Sequence, residues 1–250
     1  MEKTTTDYNR YNFTKSEFAK HLLMGAGYFF LMGMIFYQNF FLSLLAVTGT
    51  VFYVKEQRRR SIRGRKEVLL LQFREAMYAL GSSLSAGRSV EQAFIQSYSD
   101  LKIMFDMDQD IMIEWQLIVH KMGMNASIEE ALLDFAQRAD IEDIHNFVGV
   151  FVMGRRSGGD LVHIIKESSQ LINEKIEIQK EIDVLVTQKK FEQEILSYII
   201  PGMILFFTVT SPNFLAPLYE GMAGRGIMTL ALVLYMVSSR IGKRIVEIEV

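Results

Sequence analysis

A chain of 250 residues that is 50% hydrophobic, with mean hydropathy +0.15 and net charge −2, is more apolar than most water-soluble domains of its length, so a membrane protein is the first class to consider. The absence of cysteine excludes disulfides, thiolate nucleophiles and cysteine-ligated metals. Three prolines and 15 methionines favour long helices over sheets, and the small net charge conceals two opposed segments: residues 55–66 carry seven Lys/Arg against one Glu, and residues 100–143 carry eleven Asp/Glu against three Lys/Arg.

Residues 1–21 are polar, with Lys3, Arg10, Lys15 and Lys20, and read as a cytoplasmic tail that turns helical near Ser16. Residues 22–54 then run 33 positions without a charged side chain. One helix of that length would extend about 50 Å, against an apolar bilayer core of about 30 Å. Gln38-Asn39 interrupts the run, so two spans, 22–37 and 40–54, joined by a tight turn, are expected. The basic run KEQRRRSIRGRK follows directly. Beside an apolar span such a run sets orientation and stays cytoplasmic; nucleic-acid binding is the weaker reading.

Residues 69–186 read as helix throughout. Apolar residues at 69, 70, 73, 77, 80 and 84 predict a first helix over 69–86, ended by Gly87-Arg88. Ser89 and Gln92 form a capping box for a second helix, and Ser127 and Glu130 form another for a helix over 128–138. The two caps match as Ser-(Val/Ile)-Glu-(Gln/Glu)-Ala-apolar, which suggests a bundle of similar helical hairpins with Ala93 and Ala131 at close contacts. Between them, residues 100–115 are expected to hold a connection, and 111–122 a third helix. Asp140 is expected to cap a helix over 141–155. After the turn Gly158-Gly159-Asp160, helical spacing resumes at Leu161 and runs without a stop into the uncharged stretch ILSYIIPGMILFFTVTS. A helix over 161–211 would extend about 75 Å, with one end in water and the other in lipid. Residues 212–226 read as a loop with Arg225 its only basic residue, and a fourth span follows to residue 241. Lys189-Lys190 before the third span and Lys243-Arg244 after the fourth agree on four spans with both termini cytoplasmic.

The expected architecture is therefore all-α: a multi-pass membrane protein with a cytoplasmic helical bundle. Its parts are a tail (1–21), a transmembrane hairpin (22–54), the bundle (55–190), a second transmembrane hairpin (191–241) and a tail (242–250).

Three elements resemble a known family. They are Leu80-x-x-x-Leu84-x-Ala86-Gly87-x-Ser89-Val90-x-Gln92-Ala93, then Ser127-Ile128-Glu129-Glu130-Ala131-Leu132, then Gly154-x-x-Ser157-Gly158-Gly159-Asp160-Leu161 with Pro201 in the span beyond. Their order, over about 69–241, is similar to the type II secretion system F domain family in its Tad (Flp) pilus platform branch, the TadB/TadC-like proteins. The resemblance implies an inner-membrane platform above a hexameric assembly ATPase, helping to move pilin subunits out of the membrane. It also implies a paralogous platform subunit, membrane lipid and a homo- or hetero-oligomer as partners. Some relatives carry two copies of the domain, whereas this chain has one. The alternative is a membrane-anchored helical receptor or signalling protein docking a soluble partner.

Residues that could carry chemistry are few, and neither an enzyme nor a cofactor is expected. Gly154-Arg155-Arg156-Ser157-Gly158-Gly159 lacks the Gly-Lys-Ser/Thr ending of a phosphate loop. His21, His120, His145 and His163 include no pair at i, i+4. Asp106, Asp108 and Asp110 alternate as in a calcium loop, without its glycine or distal glutamate. Trp115, the only tryptophan, lies among Met and Ile and reads as core. Apart from Arg240 at the very end of the fourth, the expected spans carry no ionisable group of the kind transporters use. The remaining candidates are for partner docking: Glu129, Asp134 and Glu142 in the acidic segment, which solvation alone also explains, and Arg155 and Arg156 at the glycine turn.

Overall fold

The computed structural model describes residues 6–9 and 13–246, apart from the side chains of Lys243, Arg244 and Val246. Lys3, Arg10, the basic pair Lys243-Arg244 and most of the expected C-terminal tail therefore lie outside the described side chains. Among the described residues the chain is all-α, with no strand. It divides into two compact units: one of residues 1–12 and 59–178, the other of residues 13–58 and 179–250.

The first unit takes its helices from the later part of α3 (Thr50–Ser85), then α4 (Val90–Met104), α5 (Asp110–Gly123), α6 (Ile128–Ala139), α7 (Glu142–Ser157) and the start of α8 (Leu161–Thr210). Leu69, Phe73, Met77, Leu80 and Leu84 recur at helical spacing on α3 and are all buried. Trp115 of α5 is fully buried, with ring centroids 6.0 Å from Phe73, 5.8 Å from Phe94 and 6.4 Å from Phe135. Its indole Nε1–H donates to Ser97 Oγ at 3.0 Å, and that hydroxyl donates to the Phe94 carbonyl at 2.9 Å, so the polar edge of the ring is satisfied inside the core.

The helix ends follow local chemistry. Gly87 takes a left-handed φ of 80° and closes α3, while Ser89 Oγ accepts from the Gln92 amide at 3.3 Å and opens α4. Ser127 Oγ does the same for α6 through Glu130 N at 3.1 Å. Ala93 and Ala131 are buried at the matched positions. Asp160 Oδ1 accepts from Val162 N and His163 N at 3.0 and 3.1 Å and opens α8. Asp140 behaves differently from its expected role as an N-cap. It ends α6 in a left-handed conformation (φ 49°), and Ile141 precedes α7 without a side-chain cap. The cause is Lys66, whose ammonium donates to the Asp140 carbonyl at 2.8 Å and its carboxylate at 3.0 Å and draws that side chain off the α7 amides.

The second unit is built on close antiparallel contacts. In α1 (Lys15–Tyr37), Gly33 faces Ser43, Phe29 faces Gly49 and Gly25 faces Thr50 and Tyr53. A Cβ on Gly33 would lie 2.6 Å from the Ser43 Cα, so this crossing requires glycine. The turn falls at the expected dipeptide: Gln38 adopts φ 46°, and Asn39 Oδ1 accepts from Phe41 N at 3.0 Å. The returning arm differs from one uniform helix. It is divided into α2 (Phe40–Ala46), a 3₁₀ turn (Val47–Gly49) and the first turns of α3. Among the described residues, three helices are long and apolar enough to cross a membrane, α1, α8 and α10 (Gly221–Val246). Residues 40–54, expected as a further span, are not among them because α2 has only seven residues.

Residues 212–226, read as a loop, are largely helical. Pro212 begins α9 (Pro212–Tyr219), where its fixed φ suits the first turn, and Gly221 at φ 77° starts α10. Along α8 and α10, Gln193 donates to the Ser239 carbonyl at 3.4 Å and Tyr235 Oη to the Ser197 carbonyl at 2.9 Å. The end of α1 joins them through Tyr219 Oη to the Ile35 carbonyl at 3.1 Å and Tyr37 Oη to Thr229 Oγ1 at 3.1 Å. The outward faces are apolar: Leu23 is 77% exposed, Phe41 81% and Val209 75%.

Candidate partner interface

Residues 6–9, part of the stretch expected as a tail, pack in the first unit. Tyr8 is 1% exposed, and its amide donates to the Arg138 carbonyl at 3.2 Å. Its hydroxyl donates at 2.8 Å to Glu114, which is completely buried on α5. Glu114 also receives a two-pronged contact from Arg138, at 2.6 and 2.5 Å. Arg138 reaches on to Asp134 at 3.2 Å, and Lys121 completes the chain to Asp134 at 2.6 Å. The Arg65 guanidinium lies 4.8 Å over the Tyr8 ring and donates to Asp110 at 2.8 and 2.5 Å.

These contacts set the local proton affinities. Burial lifts the Tyr8 phenol well above its ordinary range, and the Glu114 carboxylate adds to that. Burial opposes the charge on Arg138, but the Glu114 hydrogen bond and its charge outweigh it and hold the guanidinium more firmly protonated. Burial also pushes Asp134 up; the Lys121 hydrogen bond and the Arg138 charge prevail and lower it. A carboxylate lowered in the folded state stabilises the fold above its unfolded value, near 3.9, and that contribution fades as pH falls through the folded value. In full-length protein, denaturant midpoints measured between pH 6 and pH 3 should fall below about pH 4, and Asp134→Asn should flatten part of that fall. The side chain is 36% exposed, so the difference should be on the order of 0.5 kcal/mol. An unaltered pH slope in the variant would remove Asp134 from the account.

A second cluster joins the two matched caps. Arg155, at the C-terminal end of α7, donates to Glu91 at 2.8 Å and lies 3.2 Å from Glu129. Glu91 and Glu129 occupy the same place in the two Ser-x-Glu caps, so one arginine ties the starts of α4 and α6 together. Gly154 lets this corner close, because a Cβ there would meet Ile164 at 2.3 Å.

Part of the acidic charge of residues 100–143 is answered within the unit. Asp110 pairs with Arg65, Asp140 with Lys66, Asp143 with Lys175 at 3.0 Å, Glu129 with Arg155, and Glu114 and Asp134 with Arg138. With Asp110 held by Arg65, the alternating Asp106, Asp108 and Asp110 do not converge, and among the described residues no three His, Asp or Glu side chains are grouped to hold a metal ion.

No family model, curated protein or solved structure matches the chain.

The five docking candidates thus fall into two kinds. Glu129, Asp134 and Arg155 are engaged in ion pairs within the bundle. Glu142, on the first turn of α7, and Arg156, at its other end, are exposed. The buried Glu114–Arg138–Tyr8 cluster was not anticipated. Its one sequence signal is a glutamate within the apolar face of α5, flanked by Ile111, Met112, Trp115 and Ile118. Nothing in the polar N-terminal stretch marks Tyr8.

Proposed function

We propose that this chain is a non-catalytic membrane scaffold, an inner-membrane platform protein of a Tad-type pilus or type II secretion-like machine. In this reading the first unit is cytoplasmic, and both apolar hairpins cross the membrane with the two termini on the cytoplasmic side. The observation that carries the proposal is α8. Its 50 residues place Ile165, Ile172 and Ile176 in the bundle core and Gln193 and Ser197 against α10. A helix shared in this way is a natural route for motion driven by a partner ATPase to reach the membrane spans and the pilin subunits among them.

Further support comes from the register of α1 against residues 43–53, which lays the returning arm alongside a helix long enough to span. The basic residues at 55–66 and Lys189-Lys190 agree with that orientation. The packed aromatic core, with Trp115 enclosed by Phe73, Phe94 and Phe135, suits a structural module.

The test is co-purification of the detergent-solubilised full chain with the hexameric assembly ATPase from the same source, at low and high salt. Retention of the ATPase is expected. Glu142→Lys with Arg156→Glu should weaken it several-fold at low salt, since exposed charges chiefly raise association rates. Failure of the wild-type chain to retain the ATPase at either salt would defeat the platform reading. Retention unaffected by the two substitutions would place the docking surface elsewhere on the bundle.

A further inference from the structure

The outer face of α7 is organised about a glycine. Glu142, His145, Asn146, Gly149, Met153 and Arg156 recur at helical spacing on one side of the helix, and all six are exposed. Gly149 stands in open space: a Cβ there would meet nothing within 4 Å, whereas one on Gly154 would strike Ile164. A glycine inside a helix costs stability relative to alanine, and nothing within the first unit requires one at 149. Such a position suits a second backbone approaching from outside. Met153 is 74% exposed and Val150, on the flank of the same face, 48%. The start of α8 extends that apolar flank. Asp143 with Lys175 and Gly154 with Ile164 fix its register against α7, and by that register Leu171, 59% exposed, stands level with Phe147, about a turn from Val150. The charges at the two ends of the face are opposite and equidistant. Glu142 lies seven residues before Gly149 and Arg156 seven after, about 10 Å of helix on each side. Unlike Glu129, Asp143 and Arg155, neither makes an ion pair among the described residues.

We infer that a second copy of this chain packs its α7 antiparallel against this face, about a two-fold axis at Gly149. This pairing rests on the first unit alone and goes beyond the platform reading. A two-fold at Gly149 sets Glu142 of each copy opposite Arg156 of the other, and His145 opposite Met153. The face is therefore self-complementary, as a symmetric dimer contact must be. A parallel arrangement would instead set like charges together at both ends. Facing glycines let the two backbones approach closely, and at a shallow crossing of about 20° both charged ends stay within side-chain reach. One helix face with its α8 flank is smaller than a standard interface, so the contact belongs to the weak, reversible class. The same two charges are those proposed to steer the ATPase. Exchanging both, Glu142→Lys with Arg156→Glu, reverses them toward any third protein but keeps opposite charges facing each other between copies.

The chain has no cysteine, so the pairing can be read from placed thiols. Detergent-solubilised full-length chains carrying His145→Cys are mixed with chains carrying Met153→Cys and oxidised, and the disulfide-linked dimer is measured on a non-reducing gel. Within one chain these positions are eight residues apart, about 12 Å of helix, too far for a bridge. The mixture should give dimer well above either variant alone, because the antiparallel register brings 145 opposite 153 and separates each position from its own equivalent. Gly149→Leu in both chains should abolish the dimer while leaving Trp115 fluorescence unchanged, since a side chain there meets nothing within its own chain. Glu142→Lys should reduce the dimer about five-fold, because one substitution alters both symmetry-related pairs, and adding Arg156→Glu should restore it. If the Gly149→Leu chain fails to fold, this exposed charge exchange decides the matter. No dimer beyond that of the separate variants, or a dimer that survives Gly149→Leu in folded chains, overturns the pairing. Failure of the double exchange to restore the cross-link overturns the antiparallel register. Loss of ATPase retention on Gly149→Leu with no cross-link in the mixture overturns the pairing by giving the face to the ATPase, and leaves the platform reading standing.

Discussion

Replacing Glu114 with leucine should lower the stability of the first unit by about 3–5 kcal/mol, the cost typical of breaking one side of a buried ion pair. Glu114 is completely buried and receives Arg138 at 2.6 and 2.5 Å and the Tyr8 hydroxyl at 2.8 Å. Leucine would fill much of the volume but leave a largely buried guanidinium with only Asp134 and the Thr6 carbonyl, and a buried phenol with no acceptor. A loss of this size is a large part of the stability of an ordinary domain, about 5–15 kcal/mol in all. The measurement is a denaturant titration of the full chain in micelles, followed through Trp115. The companion variant, Glu114→Leu with Arg138→Leu, should recover most of the loss, because a well-packed apolar pair can substitute for a buried ion pair. A single-variant loss below about 1 kcal/mol would show that water already reaches the carboxylate and that the pair adds little to the fold.

Trp115→Ala should cost a similar amount, about 3–5 kcal/mol, through lost burial and the cavity left behind. The ring contacts Phe73, Phe94 and Phe135 from three other helices, so the gap cannot be closed by moving one neighbour. The Ser97 hydroxyl would also lose the indole donor that reaches it at 3.0 Å. Trp115→Phe should fall between, keeping most of the ring stacking and losing that hydrogen bond. Because the substitution removes the only tryptophan, unfolding is followed by far-ultraviolet circular dichroism. A cost under about 2 kcal/mol would mean that the core collapses around the gap and is less tightly packed than the ring distances indicate.

Local features of this fold were legible in the sequence. Ser89, Ser127 and Asp160 cap the helices that their spacing announced, because a cap needs only residues three or four apart. Gln38-Asn39 turns the first hairpin for the same reason. Features set by distant partners were not legible. Asp140 looks like an N-cap until Lys66, 74 residues earlier, is seen to hold it. The acidic segment looks like one uniform acidic surface until Arg65, Lys66, Arg155 and Lys175 are found against four of its carboxylates. Residues 212–226 read as a loop, yet Pro212 begins a helix there, because a proline's fixed φ suits a first helical turn. Of the candidate site, the sequence singled out Arg155 but could not show that it pairs with Glu91 and Glu129.

The docked N-terminal segment also constrains the order of events during synthesis. Tyr8 is made early, yet its acceptor on Glu114 is separated from it by 106 residues, and the Arg138 carbonyl that receives its amide comes later still. At about 5–20 residues per second, a ribosome needs roughly 5–20 s to supply that acceptor. During this interval α1 and its returning arm are complete, but the seat of the segment before them is not. A nascent chain must therefore keep Tyr8 on the same side as the bundle while the first hairpin is already being handled by whatever receives it. A bulky fusion placed directly before Thr6 should slow this late closure more than it disturbs the finished protein. Pulse-labelled protease resistance of the first unit would reveal that delay.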